Sequence, residues 1–272
     1  YANPTHPGEL TSVTNPDGNT TKFSYNNYKD LISTTSPLGQ ITTDSYNLDS
    51  ELTSEVSPRG NVAGANPSLY TSYVTYNSLG LPIKIIDPLG DTTTYVYNKA
   101  GQLVSVVDPS GNKTTYVYNT AKQLIATVNP SGGKTTYTYG PRGNLISQTS
   151  PGNQTTTYSY GPLSNLDTSI NPLGQTTNYS YGLDGELLST ILPNGQQTTY
   201  SYNNDYQLTD ISYLGFPSSD ISYSYSPLGQ VLSQTNSSGT DTYSYDLAGL
   251  LTNTASPQGN LSYTYDQTGN IT

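Results

Sequence analysis

Few residues of this 272-residue chain are equipped for chemistry, and they are scattered. There is one histidine, His6, in a proline-rich stretch, and there is no cysteine. A catalytic triad or a histidine-based metal site needs a second partner to fix tautomer or geometry, so His6 reads as a surface-loop residue. Serine is plentiful, yet no Gly-x-Ser-x-Gly elbow occurs and no general base stands ready to activate one. Glycoside hydrolysis needs only two carboxylates at a suitable separation. The aspartates, however, fall mostly in turns, as Asp17, Asp108 and Asp246 do, where hydrogen bonding to nearby backbone accounts for them. The same oxygens are potential Ca²⁺ ligands, but no EF-hand pattern is present and no turn groups two or three acids. No catalytic residue, cofactor or metal site is therefore expected, and the chain reads as non-enzymatic.

Tyrosine is the exception to this scarcity, with 27 copies. An aromatic ladder can stack sugars or bases, which keeps a carbohydrate-binding or glycoside-active module as a third reading. Tyrosine at strand spacing is more ordinarily packing, with a hydroxyl seeking a partner. Asn-x-Ser/Thr acceptors at Asn19, Asn112, Asn153, Asn178, Asn236, Asn260 and Asn270 permit a glycan coat, although so much Ser and Thr produces several by chance. The formal charge of −10 removes the electrostatic basis for binding phosphate, so nucleic acid is not expected as a partner. The charge is lopsided: residues 1–142 hold all 9 basic groups and 10 acids, residues 143–272 none and 9. Such a half repels its own kind, or binds Ca²⁺, unless the asymmetry is drift in a repeat array. No apolar run is long enough to span a membrane. The start at Tyr1, without Met or a signal peptide, reads as a mature product or an excised piece of a longer protein.

The elements that would position these residues are set by a repeat. A Tyr-x-Tyr or related pair recurs with its second tyrosine at Tyr25, Tyr46, Tyr76, Tyr97, Tyr118, Tyr139, Tyr160, Tyr181, Tyr202, Tyr225, Tyr245 and Tyr265. The steps are 21, 30, 21, 21, 21, 21, 21, 21, 23, 20 and 20, which gives twelve copies with one 9-residue insertion over 61–69. Pro-x-Gly keeps the same beat, ending at Gly18, Gly39, Gly60, Gly90, Gly111, Gly132, Gly174, Gly195 and Gly259, with Pro151-Gly152-Asn153 as a variant. The copy that starts at Thr92 shows the logic. Residues 92–97 are β-branched and aromatic, a strand; Asn98-Lys99-Ala100-Gly101 is a turn; residues 102–107 are a second strand; and Asp108-Pro109-Ser110-Gly111 closes it, with Pro fixing φ and Gly supplying freedom.

Alternation along a strand places Tyr95 and Tyr97 on one face, and Leu103, Ser105 and Val107 together on one face of the partner. Which partner set joins the tyrosines depends on turn register; Tyr with Leu is the pairing we favour. Both faces carry apolar side chains, so partial cover on both is expected. The fold class is all-β: one continuous array over 1–272 of antiparallel hairpins, about 24 strands and roughly 115 Å along the sheet. A sheet of that extent curls into a spiral, shell or tube. Each hairpin hides its apolar face only against its neighbours, and the terminal strand edges remain available to further repeats or identical chains.

Tyr97-Asn98-Lys99-Ala100-Gly101-Gln102-Leu103, Tyr245-Asp246-Leu247-Ala248-Gly249-Leu250-Leu251 and Tyr265-Asp266-Gln267-Thr268-Gly269-Asn270-Ile271 resemble the unit of the Rhs/YD-repeat family, and the resemblance covers essentially the whole chain. It implies a hollow β-shell of the kind found in bacterial Rhs effectors, insecticidal toxin complexes and teneurin ectodomains, in toxins enclosing an effector released by aspartyl self-cleavage. This sequence departs from the pattern: the second Tyr is usually followed by Asn or Gly, the Arg after the Gly is missing, and no plug, protease or toxin segment is recognised within these 272 residues. Asp87-Pro88-Leu89-Gly90 resembles part of a cleavage motif but sits in the ordinary repeat turn. The function expected is a secreted, extracellular or cell-surface structural scaffold that encloses cargo. An extracellular filament or adhesin joined end to end is the alternative.

Overall fold

Thr, Tyr, Val and Ile fill the stretches between turn residues, and these β-branched and aromatic side chains suit a pleated surface. Among the residues that this computed structural model describes, 9–15, 17–266, 269 and 271, the chain forms 24 β-strands, three short 3-10 turns and no α-helix. His6, Pro16 and Asn270 lie outside the described residues. The chain is all-β, an array of antiparallel hairpin repeats, as its spacing predicts.

Two units divide the chain, Tyr1–Lys134 and Thr135–Thr272. In the first, each ladder joins sequence neighbours, from Ser12–Thr14 against Thr20–Tyr25 to Lys113–Tyr118 against Leu124–Val128. In the second, the same meander runs from Lys134–Tyr139 against Leu145–Thr149 to Leu251–Ser256 against Gly259–Ser262. All the pairs are antiparallel, as short connections require. Among the described residues Ser12–Thr14 and Gly259–Ser262 each pair on one side only. We name the strand that ends in the repeat tyrosine A, and the one after it B.

The irregular steps of the repeat have local causes. The step of 30 contains two 3-10 turns, Pro58–Asn61 and Pro67–Tyr70, folded against each other. Asn61 anchors them, donating from Nδ2 to the carbonyls of Ile41 (2.9 Å) and Val56 (3.1 Å). The step of 23 contains the turn Pro217–Ser219. The last two steps shorten to 20 because Asn236 pairs with Gly239 and Ser256 with Gly259, leaving two-residue loops where other copies have three.

Neither unit has a conventional core. Among the described residues only Gly60, Thr71, Ser105 and Ala126 are buried. Ser105 is hidden because it is small and flanked by Val96 and Thr115 in the adjoining strands. The accessible surface is 17266 Å², against roughly 14,000 Å² for two separate compact globules of half this mass. The partial cover on both faces therefore comes from neighbours along the same sheet. Stability rests on ladders and side-chain contacts from copy to copy.

Candidate functional site

The A–B register is set by a bulge. Thr94 stands opposite Val107, Tyr95 opposite Val106 and Val96 opposite Ser105, and then the register shifts so that Tyr97 meets Leu103. Tyr with Leu therefore holds at the second tyrosine, while the first faces the other partner set. One extra residue in the B strand makes both true. The same shift recurs at Tyr25, Tyr46, Tyr118, Tyr160, Tyr181, Tyr202, Tyr225 and Tyr245.

The bulge leaves a backbone group for the next copy to satisfy. Between Leu103–Val107 and the following A strand, the ladder comprises Val107–Lys113, Val106–Thr114 and Ser105–Thr115, and stops there. The Leu103 carbonyl lies beyond it, and the Tyr118 hydroxyl donates to it at 3.0 Å. This latch is the repeating site of the molecule. Tyr25 donates to Leu10 (3.0 Å), Tyr46 to Leu31 (2.9 Å), Tyr76 to Leu52 (2.9 Å) and Tyr160 to Leu145 (2.9 Å). Further along, Tyr202 donates to Leu187 (3.1 Å), Tyr225 to Leu208 (2.7 Å), Tyr245 to Val231 (3.0 Å) and Tyr265 to Leu251 (2.7 Å). Each phenol substitutes for a ladder N–H and ties one copy to the copy before it. Burial, with the tyrosine two residues earlier as a second cause, raises the pKa of Tyr97, Tyr160, Tyr181, Tyr202 and Tyr225, so the donor form persists above its ordinary range.

Both turns of a copy share one geometry. In the tyrosine turn the Asn98 N–H donates to the Gln102 carbonyl (2.9 Å) and the Gly101 N–H to the Asn98 carbonyl (3.0 Å). The Asn98 Oδ1 accepts the N–H groups of Ala100 (2.9 Å) and Gln102 (3.0 Å). In the proline turn the Asp108 carboxylate accepts the N–H of Asn112 (2.8 Å) and its Nδ2 (2.9 Å). Those bonds, the side-chain one foremost, lower the Asp108 pKa. Where an acid or amide opens the turn, it is thus an acceptor of its own backbone. Asp87 is occupied in the same way by the N–H groups of Leu89 (2.8 Å) and Asp91 (2.9 Å).

The fourth turn residue is left-handed. Gly18, Gly39, Gly90, Gly111, Gly132, Gly174 and Gly195 have φ between 75° and 87°, whereas Gly259, at 146°, closes a two-residue loop. Gly60 is a different case: it lies in the 3-10 turn Pro58–Asn61, and an added Cβ would come within 2.6 Å of Val56 Cγ1 and 2.8 Å of Tyr70 Cβ. Its glycine is required by space, not by φ. In several copies the left-handed position holds Lys29, Ser50, Lys122, Ser164 or Tyr206, and Asn153 in a proline turn. Of the glycan acceptors, Asn19, Asn112, Asn153, Asn178 and Asn260 are exposed and Asn236 is half-buried.

Sequence reasoning missed two features. The latch acceptor was hidden in plain spacing, since Leu10, Leu31, Leu103, Leu145 and Leu187 each precede their tyrosine by 15 residues. Asp44 and Glu55 stand directly opposite each other across adjacent strands. Burial first, and Glu55 second, raise the Asp44 pKa.

Family models match most of the chain. One described as RHS Repeat matches residues 8–41 and 76–113, and one described as Teneurin YD-shell matches residues 112–272, more than half of the chain. Among solved structures, TcdB2-TccC3-TEV aligns over 93% of this chain and 16% of its own, at 15% identity and a TM-score of 0.56. The Tc holotoxin pore of Photorhabdus luminescens aligns over 96% and 19%, at 17% identity and a TM-score of 0.43. At these identities the likeness is one of fold, and the first structure carries it. The chain spans less than a fifth of the length of these structures. A search of curated proteins returns no match.

Proposed function

We propose that this chain, which belongs to the Teneurin YD-shell family, is a non-catalytic wall segment of a larger secreted protein. Its copies act as one continuous array that forms part of a shell enclosing a toxin or other cargo. The observation that carries this reading is the latch: in most copies a tyrosine hydroxyl joins the copy to the one before. Such a wall lengthens by copying, without needing a core. The likeness in fold to TcdB2-TccC3-TEV supports the shell, and the exposed acceptors Asn19, Asn112, Asn153, Asn178 and Asn260 are compatible with a glycan coat on an extracellular surface.

An extracellular filament or adhesin is the second reading. It would join copies end to end by strand addition at Ser12–Thr14 and Gly259–Ser262, which among the described residues pair on one side only. Electron microscopy of the complete secreted protein separates the two. Closed particles holding internal density support the shell; long filaments with a hairpin-spaced repeat replace it with the second reading.

A further inference from the structure

The second unit carries an edge that is both acidic and apolar. Because the meander alternates direction, its tyrosine turns share one rim and its proline turns the other. The tyrosine-turn rim displays Leu163, Leu183, Tyr206, Leu228 and Leu247, one from each of five successive turns, and none is covered: Leu183 is 94% and Leu228 86% exposed. Beside Leu183 stand Asp184 and Glu186, beside Tyr206 stands Asp205 and beside Leu247 Asp246, and the Tyr206 hydroxyl donates to Asp184 at 2.6 Å, while the turns of Leu163 and Leu228 carry no acid. Residues 143–272 contain no basic side chain, and Arg142, at the head of the rim, is engaged with the Pro162 carbonyl. Where Gly140 and Gly161 replace the usual Asn, the rim opens into a cleft lined by Pro141, Ile146, Tyr160 and Pro162.

We propose that this rim is a docking edge for a cationic amphipathic helix of a partner polypeptide. The argument from charge is one of complementarity. Four carboxylates stand in three of the five turns, Asp184 and Glu186 in one, Asp205 in the next and Asp246 in the last. They are spaced so that a segment laid along the rim passes within about one Debye length, ~8 Å at physiological ionic strength, of them, and Arg142 at its head is the single basic side chain beside them. A second copy of this chain docking through the same rim would bring the same acids and be repelled. The argument from shape is one of period: successive tyrosine turns are two strands apart, about 9.6 Å, and a helical heptad rises about 10.5 Å. A helix with one apolar residue per heptad on its inner face therefore meets one rim side chain per turn, with its lysines toward the carboxylates. The edge is made of turns, not of an open strand, so its recognition is by side chains. This inference holds for a shell wall or a filament alike.

The test is fluorescence anisotropy of the full chain with a labelled synthetic helix that has leucine at heptad positions and lysine on its flanks. Binding is expected, weakening as salt rises. It should fall at least ten-fold in the variant Leu163→Ser, Leu183→Ser, Leu228→Ser, and comparably in Asp184→Asn, Asp205→Asn, Asp246→Asn. The variant Asp210→Asn, Asp220→Asn, Asp241→Asn removes the same charge away from the rim and should bind as the parent does. Circular dichroism checks that each variant keeps its sheet, which the exposure of these side chains favours. The proposal is overturned if the helix does not bind, if both aspartate variants weaken it equally, or if a glutamate-flanked helix binds as well. It is also overturned if sedimentation shows the parent self-associating through the three leucines.

Discussion

Replacing Tyr160 with Phe keeps the ring and removes one hydroxyl, so it isolates the latch. That hydroxyl donates to the Leu145 carbonyl at 2.9 Å. The ladder on that side comprises only Ser147–Thr157, Gln148–Thr156 and Thr149–Thr155, so no ladder pair reaches Leu145. A neutral hydrogen bond contributes about 1 kcal/mol net. The site is half-exposed, so water recovers part of this, and the expected loss is about 0.5–1 kcal/mol. With a urea m-value of about 2 kcal/mol/M, the midpoint falls by about 0.3–0.5 M at unchanged m. Tyr158 supplies the control. It lies on the same face of the same strand, and its hydroxyl has no protein partner among the described residues. Tyr158→Phe should leave the midpoint in place. Equal shifts for the two variants, or none for Tyr160→Phe, would refute the latch as a source of stability.

The left-handed positions offer the reverse test: Lys122 and Ser164 sit at φ 63° and 64°, and changing either to Gly should stabilise the chain by about 0.5–1 kcal/mol, read as a higher melting temperature; a lower one contradicts the turn geometry. Asp44→Asn relieves a like-charge pair and should stabilise at pH 7 by about 0.2–1 kcal/mol. Because the folded pKa of Asp44 is raised above 3.8, its favourable contribution is complete below that pH and lost as pH rises through the raised value. The advantage of Asp44→Asn should therefore vanish in acid, and an advantage independent of pH would point elsewhere. The tyrosines follow the same sign: their raised folded pKa means stability held below pH 10 and lost above it. Phenolate absorbance and sheet circular dichroism should change together above pH 10; complete ionisation with the sheet intact would dissociate the phenols from the fold.

Much of this fold was legible because its markers are chemical necessities. Gly111 supplies a left-handed φ of 81°, and Asp108 caps its own turn, so Pro-x-Gly and the tyrosine pairs mark real corners. What spacing alone could not reveal depends on geometry across strands. The bulge at Tyr97 is invisible in a two-residue alternation, and it decides both the facing of Leu103 and the stranded carbonyl that Tyr118 satisfies. Gly60 fits the proline-turn beat yet serves tight packing against Val56 and Tyr70, because the insertion rebuilds that corner. The scarcity of buried side chains among the described residues goes further than the partial cover expected on both faces: a sheet covered only by its own neighbours leaves most of its strand Tyr and Leu half-exposed.

Residue-resolved amide hydrogen exchange tests the central claim most directly, that each copy is stabilised by the adjacent copies in the array. In the second unit, protection should rise and fall with the A and B strands of every copy, and decline toward Gly259–Ser262, which among the described residues pairs on one side only. Protection confined to one compact block, with whole copies exchanging freely beside it, would contradict the account.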